Sequence, residues 1–512
     1  MPQVVFRVDL KDSRGFPLLS EFLGRTVMMA GQDLQLPKRL ITGGVEGNLA
    51  SPDIYYCHNV IPNNQGYQSI SYKQLAIAPY NTDNTFTQIF TLLDGSGNKA
   101  YFAITLSGNC YVLLNYLSGW VQTTSVAPAT YGGLVTTAYV NGITYIYFSG
   151  VGCYQYNWTT NTLDPVSLTG LVPSAILGIA ESKGFMLAYS TTTCVWSSAI
   201  TPTDFTPSII TGAGGGSIQG LKGTVVFAKR YKYGLMLYST YNCIAVIFTG
   251  NANYPFNFSQ VPGSGGISAP WYVDIDPVTS EHYAYTTAGL QLVTYQQSNN
   301  VLPEITDFFA GARFEDFNET TGVFTTTTLS SPMLKRITTI ADRYVIFSYG
   351  IDTYTYALVY DTALQRLGKL KVTHVDCFEY VLFGSAAIDS PRTSVGFLQA
   401  DGTVLVASFT IDPLFGSGVM IVGKFQLDRA HTFTLQNIEL ENVPQASNFV
   451  CSDMYTIDGK TVAGIVPGYL LSSSGMMRTY GFNISGMNHS ILFTGAFSLD
   501  SILLRGNEGG YR

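Results

Sequence analysis

The chain has 512 residues, and 27 Lys and Arg against 34 Asp and Glu give it a net charge of −7. Only 12% of the residues are charged, against roughly 25% in ordinary soluble domains, while 46% are hydrophobic and 13% aromatic. This excludes a disordered chain, and the lack of a basic stripe argues against a protein that reads DNA sequence. A surface so poor in charge suits a chain covered by partners or built into an assembly.

The opening MPQVVFRVDLKDSRG has no apolar segment of the kind that leads secretion, and no run of about 18 apolar residues predicts a membrane helix. Residues 1–80 are irregular and rich in Pro, Gly and Asn, with a short helix predicted at PLLSEFLGR. They read as an N-terminal platform segment.

From 81 to 427 a repeat takes over. YFAITLSGNCYVLLNY, ITYIYFSGVGCYQYNW, GFMLAYSTTTCVWSS and GLMLYSTYNCIAVIF each join two apolar runs through a small polar turn ending in Cys. Cys110, Cys153, Cys194 and Cys243 are 43, 41 and 49 residues apart. The pattern continues in HYAYTTAGLQLVTY, turning at Ala288 and Gly289, in YVIFSYGIDTYTYALVY, turning near Gly350 to Asp352, and in SVGFLQADGTVLVASF, turning at Asp401 and Gly402. Continuous apolar runs joined by tight turns are hairpins buried on both faces. A period of 40 to 50 residues with several strands per unit predicts an all-β chain built on a β-propeller of about seven blades. A blade cannot bury both faces alone, and a ring of blades gives each face a neighbour. Weaker outer strands are expected at FTPSIITGAG and FNFSQVPG, a short helix at DTALQRL, and an insertion near 304–334. Residues 428–512 alternate as strands (HTFTLQNIELENV, then YGFNISGMNHSILFTGAFSLDSILLRG) and predict a C-terminal β-rich platform domain that adjoins the N-terminal segment.

Little of this carries chemistry. The seven Cys, with Cys57, Cys377 and Cys451 completing the set, are odd in number and lack a Cys-x-x-Cys clip, so reduced thiols are expected. The four repeat cysteines could converge on a metal at the axis; without accompanying His they read as small buried hydrophobes. His58, His282, His374, His431 and His489 show no metal-ligand spacing. The Gly-rich run Gly212 to Ser217 lacks the lysine and helix of a phosphate cradle and reads as an inter-blade loop. Asp274 and Asp276 lack the rest of a calcium loop and read as a turn carboxylate pair. Glu281, Glu304, Asp307, Glu315 and Asp316 are the densest acidic group, but the converging arginines of a sialidase-type site are missing. Two basic clusters, Lys229, Arg230 and Lys232 and then Arg366, Lys369 and Lys371, could touch phosphate or serve as ion pairs or solvated edges. The reading is of a non-enzyme: no catalytic, cofactor-binding or metal-binding residue is assigned, and no cofactor is expected.

Several strings resemble those of nozzle (hub) proteins from the tails of short-tailed bacteriophages. ADRYVIFSYGIDTYTYALVYDTALQRLGKLKVTHVDCFEY at 341–380 and LPEITDFFAGARFEDF at 302–317 are two. CHNVIPNNQGYQSISY at 57–72, CVWSSAITPTDFTPS at 194–208 and the closing GAFSLDSILLRGNEGGYR are the others. None is a catalytic motif. The resemblance implies a structural virion protein, assembled in the host bacterial cytoplasm and resident in the tail. It implies a homo-oligomer, a hexameric ring, below the adaptor and portal proteins and alongside tail fibres or spikes. Genomic double-stranded DNA would pass through the ring without being read, retained before infection and released at ejection. The competing class is a receptor-binding or adhesin propeller of a phage tail or fibre, although no heptad or β-helix stem is visible.

Overall fold

The computed structural model describes residues 3–9, 47–48, 54–64, 66–75, 85–93, 99–114, 119–123, 133–251, 254–276, 279–303, 305–310, 313–318, 320–321, 323–328, 334–340, 343–350, 354–380, 394–409, 417–425, 431–441, 448–457, 462–474 and 477–511. Among these, seven antiparallel units of four strands follow one another around an axis. Blade 1 comprises Phe86–Leu93, Lys99–Thr105, Cys110–Leu113 and Val121–Gln122; blade 2 comprises Val135–Val140, Ile143–Phe148, Gly152–Asn157 and Thr162–Val166. Blade 3 comprises Gly178–Ser182, Phe185–Tyr189, Thr193–Trp196 and Gly214–Ser217; blade 4 comprises Val225–Tyr231, Gly234–Ser239, Cys243–Asn251 and Tyr254–Gln260. Blade 5 comprises Val273–Ile275, His282–Thr286, Gly289–Val293 and Ser298–Leu302; blade 6 comprises Leu334–Ile340, Tyr344–Gly350, Tyr354–Asp361 and Arg366–His374. Blade 7 comprises Asp376–Glu379, Ser394–Leu398 and Val404–Ser408, completed by Tyr72–Gln74 from the N-terminal region.

The first strand of each blade is innermost. First strands of successive blades are neighbours from blade 2 through blade 7, and blade 7 returns to that of blade 1, which also meets blade 2. The chain is therefore an all-β propeller of seven blades. The expected hairpins are the second and third strands of the blades, and they are buried on both faces: Phe185–Tyr189, Gly234–Ser239 and Tyr344–Gly350 are buried at every position. Each interface between blades has its own apolar cluster. Phe102 and Ile104 meet Ile146 and Phe148 between blades 1 and 2, and Leu187 and Tyr189 meet Leu235 and Leu237 between blades 3 and 4. Phe378 and Leu398 meet Phe86 and Tyr111 where the ring closes. Burial of roughly 1.5–3 kcal/mol per large side chain, repeated at every seam, is what holds a blade that is only four strands wide.

Platform and propeller share one continuous sheet. Beyond Arg366–His374, blade 6 runs on into Val60–Asn63, Gly66–Ser69 and Ser498–Leu499. Gly66, at φ +143°, is pressed so close to Leu499 that a Cβ there would collide with its carbonyl oxygen. The platform has two more sheets. One, six-stranded, runs in order Gly47–Asn48, Gln3–Asp9, Ser501–Tyr511, His431–Leu440, Met477–Gly486 and Tyr469–Ser474. The other, five-stranded, runs Ile54–His58, Gly418–Phe425, Asn488–Gly495, Val450–Thr456 and Val462–Pro467. Leu435 and Ile438 of the first and Met420 and Phe493 of the second share a core with Val345 and Phe347 of blade 6. His489 joins the two sheets: one ring nitrogen bonds Asp453 at 2.7 Å and the other the Phe433 carbonyl at 3.1 Å. Strand Tyr72–Gln74 lies before the expected start of the propeller at 81, and Gly418–Phe425 lies before its expected end at 427 yet pairs in the platform.

Three expectations are corrected. DTALQRL is not helical: Asp361 Oδ1 accepts from the Ala363 and Leu364 N–H groups and Gln365 sits at φ +54°, which makes a tight strand-to-strand turn. The outer strand of blade 3 is Gly214–Ser217, not FTPSIITGAG, so most of the Gly-rich run is a strand rather than a loop. Trp196 explains it. Its ring lies 3.5 Å from where a Gly214 Cβ would be, its Nε1 donates to the Gly212 carbonyl at 2.9 Å, and a Cβ at Gly215 would strike the backbone of Cys194 and Val195. The insertion contains a helix that went unpredicted, Ile305–Ala310, whose Phe308 and Phe309 enter the core shared by blades 5 and 6 and the platform. PLLSEFLGR lies outside the described residues.

Candidate functional site: the axial cavity

The innermost strands turn one edge toward the axis, so side chains from several blades converge there. The resulting cavity encloses about 300 Å³ and is lined by the inner strands of blades 1 to 5, with Pro270 and Trp271 from the turn preceding blade 5. Its wall mixes aromatic and amide groups (Phe90, Phe227, Trp271, Gln88) with two ion pairs. Lys229 Nζ lies 2.8 Å from Asp274 Oδ1, linking blades 4 and 5, and Arg230 Nη1 lies 3.1 Å from Glu181 Oε2, linking blades 3 and 4. The second contact is ionic without hydrogen-bond alignment. Two cations facing two carboxylates leave the wall electrically neutral. A cavity of this size holds a small molecule, not a nucleic-acid duplex.

Polar side chains lace neighbouring blades together. Thr144 Oγ1 both donates to the Leu93 carbonyl at 2.7 Å and accepts from the Leu93 N–H at 3.1 Å. Thr136 Oγ1 accepts from Ile179 N–H at 2.9 Å, and Asp376 Oδ2 accepts from Ile89 N–H at 2.9 Å at the closing seam. Between blades 4 and 5, His282 lies 2.6 Å through Nε2 from the Arg230 carbonyl and 2.9 Å through Nδ1 from the Tyr238 hydroxyl. A carbonyl only accepts, so Nε2 carries the proton and Nδ1 accepts from Tyr238. Burial lowers this histidine's pKa from 6.5 to about 4, opposed by its bond to the Arg230 carbonyl and aided by the Lys229 charge, with Asp274 pulling the other way.

The residues singled out by sequence fall as follows. Cys110, Cys153, Cys194 and Cys243 stand first or second in the third strands of blades 1 to 4, and each lies in a different inter-blade cluster, so they do not converge at the axis. All seven Cys are buried, and none is joined in a disulfide. Burial pushes the thiols of Cys57, Cys110, Cys153 and Cys194 up to about 12. The histidines are scattered, and among the described residues no three His, Cys, Asp or Glu gather as a metal site. The side chain of His431 and those of Glu304, Asp307, Glu315 and Asp316 lie outside the described set. Asp276 Oδ1 accepts from Thr279 N–H and the Asp276 N–H bonds the Glu281 carbonyl, so it shapes a turn, whereas Asp274 belongs to the ion pair above.

The structure does not gather either basic cluster into one exposed patch, although Lys232 and Lys371 are exposed. Lys229 and Arg230 are engaged across blades, and Lys232 lies over the Tyr233 ring at 5.5 Å. Arg366 and Lys369 are only 8% and 2% exposed. The reason is the added N-terminal strand: Lys369 is in register with Val60, so what would be an outer strand is covered, and its ammonium lies 4.5 Å and 5.8 Å from the Tyr356 and Tyr56 ring centres. Sequence gave no notice of the cavity, because its lining comes one to several residues at a time from five blades.

No protein-family model matches the chain, and no curated protein matches it. Among solved structures it is similar to the WD40 β-propeller domain of Doa1 (10% identity over 66% of this chain and 97% of that one, TM-score 0.39). It is also similar to YCF48 from Cyanidioschyzon merolae (11%, 65% and 98%, 0.39) and to YCF48 bound to D1 peptide (11%, 67% and 96%, 0.41).

Proposed function

We propose that this chain is a structural subunit of a phage tail nozzle, a ring through which double-stranded DNA is held and then released, and that it is not an enzyme. The observation that carries the reading is the resemblance of the strings at 57–72, 194–208, 302–317 and 341–380 and at the C-terminus to nozzle proteins. The architecture is compatible with it. Blade 6 is fused to the platform by a continuous sheet, a rigid joint suited to a load-bearing part. The bore would lie between copies, since the propeller's own cavity is too small for a duplex. With 12% charged residues and a net charge of −7, the wall of such a bore would not grip phosphates. Purified protein titrated with linear duplex DNA should bind no more tightly than about 10⁻⁶–10⁻⁴ M, the range of non-specific binders, and without sequence preference. Nanomolar binding to a specific site would refute the reading.

A second reading, a receptor-binding propeller, has one observation in its favour. The axial cavity, with Trp271, Phe90 and paired polar groups on its wall, has the size and mixed lining of a small-ligand site. Binding of a host surface saccharide that is abolished by Trp271→Ala would favour it.

A further inference from the structure

The polar groups on the wall of the axial cavity are of two kinds. The charged ones are already engaged: Lys229 Nζ lies 2.8 Å from Asp274, and Arg230 Nη1 lies 3.1 Å from Glu181, whose Oε1 also accepts from the Gly184 N–H at 3.2 Å. Glu181, Arg230 and Asp274 each stand second from the end of an inner strand, so the charges gather at the end of the cavity where the chain turns into the second strands. Trp271 stands three residues before Asp274, toward the other end. The neutral groups divide. The Thr136 and Thr144 hydroxyls bond neighbouring backbone. The side chains of Gln88, Thr91 and Thr137, on blades 1 and 2, and the Trp271 indole N–H line the cavity without a hydrogen-bond partner among the described residues.

We propose that the axial cavity binds one neutral, hydroxyl-rich ring, a single sugar unit. Its hydroxyls would meet Gln88, Thr91 and Thr137, and its apolar face the Trp271 ring. The inference deepens the receptor-binding reading and rests on it only for the source of the sugar. The choice of a neutral ligand follows from which groups are unused. An acid would bring its charge against Asp274 or Glu181, and an amine against Lys229 or Arg230. A zwitterion could engage all four only by displacing ion pairs that already satisfy one another, which returns little for the desolvation it costs. An amide and two hydroxyls each donate and accept, as a sugar hydroxyl does, so both sides of each contact are satisfied without moving a charge. A volume of about 300 Å³ lies at the lower end of small-ligand sites, room for one ring rather than a chain.

The test is ligand-observed NMR and calorimetry on the full chain with glucose, galactose, N-acetylglucosamine, glucuronate and glycine betaine. Wild type is compared with Thr137→Val, Gln88→Leu and Trp271→Ala, and with Ile210→Ser, a change on an exposed blade 3 loop. At least one neutral sugar should bind wild type and Ile210→Ser at roughly 1–10 mM, as expected of so small a ligand. Each cavity variant should weaken it at least about fivefold. Thr137→Val keeps the side chain's shape, so with the wild-type melting profile its loss reads the hydroxyl alone. No neutral sugar bound at about 50 mM, tighter binding of glucuronate or betaine than of every neutral sugar, or binding indifferent to the cavity variants overturns the proposal. Adsorption of labelled protein to host cells separates it from the receptor-binding reading. Adsorption without binding of any free sugar, and unchanged by Thr137→Val, sinks the cavity site and leaves that reading standing. Sugar binding at the cavity without adsorption keeps the site and sinks that reading.

Discussion

His282 should make the propeller acid-sensitive by a calculable amount. It is fully buried, and its neutral tautomer satisfies both partners, donating to the Arg230 carbonyl and accepting from Tyr238. A proton on Nδ1 would turn the acceptor facing the Tyr238 hydroxyl into a donor and place a charge in the seam between blades 4 and 5. The folded pKa of about 4 lies below the unfolded value of 6.5. Below pH 6.5 the unfolded chain therefore binds a proton that the folded chain refuses. Stability falls as pH drops through 6.5 and levels off below 4. At about 1.4 kcal/mol per unit, the loss is about 2 kcal/mol between pH 7 and 5 and about 3 kcal/mol by pH 4. Urea unfolding of wild type and His282→Gln at pH 7 and pH 5 reads it. The glutamine retains a donor for the Arg230 carbonyl but does not titrate, so other groups cancel in the comparison. Wild type should lose about 2 kcal/mol more than the variant over that interval. Equal losses would show that His282 is protonated in the fold and that the tautomer assignment is wrong.

Other consequences are as direct. Asp376→Ala leaves the buried Ile89 N–H without its acceptor at the closing seam and should cost about 1–3 kcal/mol, read as a lowered thermal midpoint. Gly215→Ala should destabilise the outer strand of blade 3, with faster backbone amide exchange confined to that strand and its partner, because the new methyl meets the Cys194 and Val195 backbone. Thiol titration should find seven reactive groups in denatured, unreduced protein and slow reaction in native protein, since all seven thiols are buried; fast native labelling would contradict their placement. Lys369→Ala removes a buried ammonium held between Tyr56 and Tyr356 and should loosen the joint between blade 6 and the platform, visible as earlier proteolysis near residues 57–69 without loss of the propeller's melting transition.

The parts legible in the sequence are those whose side chains announce burial. The central hairpins read as unbroken apolar runs because blades cover both faces, and the repeat cysteines marked one position in each of four blades. The innermost strands were harder. Val135–Val140 mixes buried and half-buried residues because its edge meets the cavity, and so short and mixed a pattern blends into the turns around it. Gly214–Ser217 has almost no side chains, so its pairing is carried by the backbone, with Gly214 against Trp196 and Gly215 against the Cys194 and Val195 backbone. Tyr72–Gln74, the strand that closes the ring, is three largely solvent-facing residues with no pattern to find. At the candidate site the limit was distance along the chain. Lys229 and Asp274 are brought together only by the order of the blades, and Lys369 reads as a surface cation until Val60 is seen to cover its strand.

Images of the purified chain incubated with its adaptor, taken by negative-stain electron microscopy, test the central claim most directly. The account predicts closed rings with an open centre, the propellers and platforms repeating around it. Elongated trimers, or particles that remain single propellers in the presence of adaptor, would contradict it.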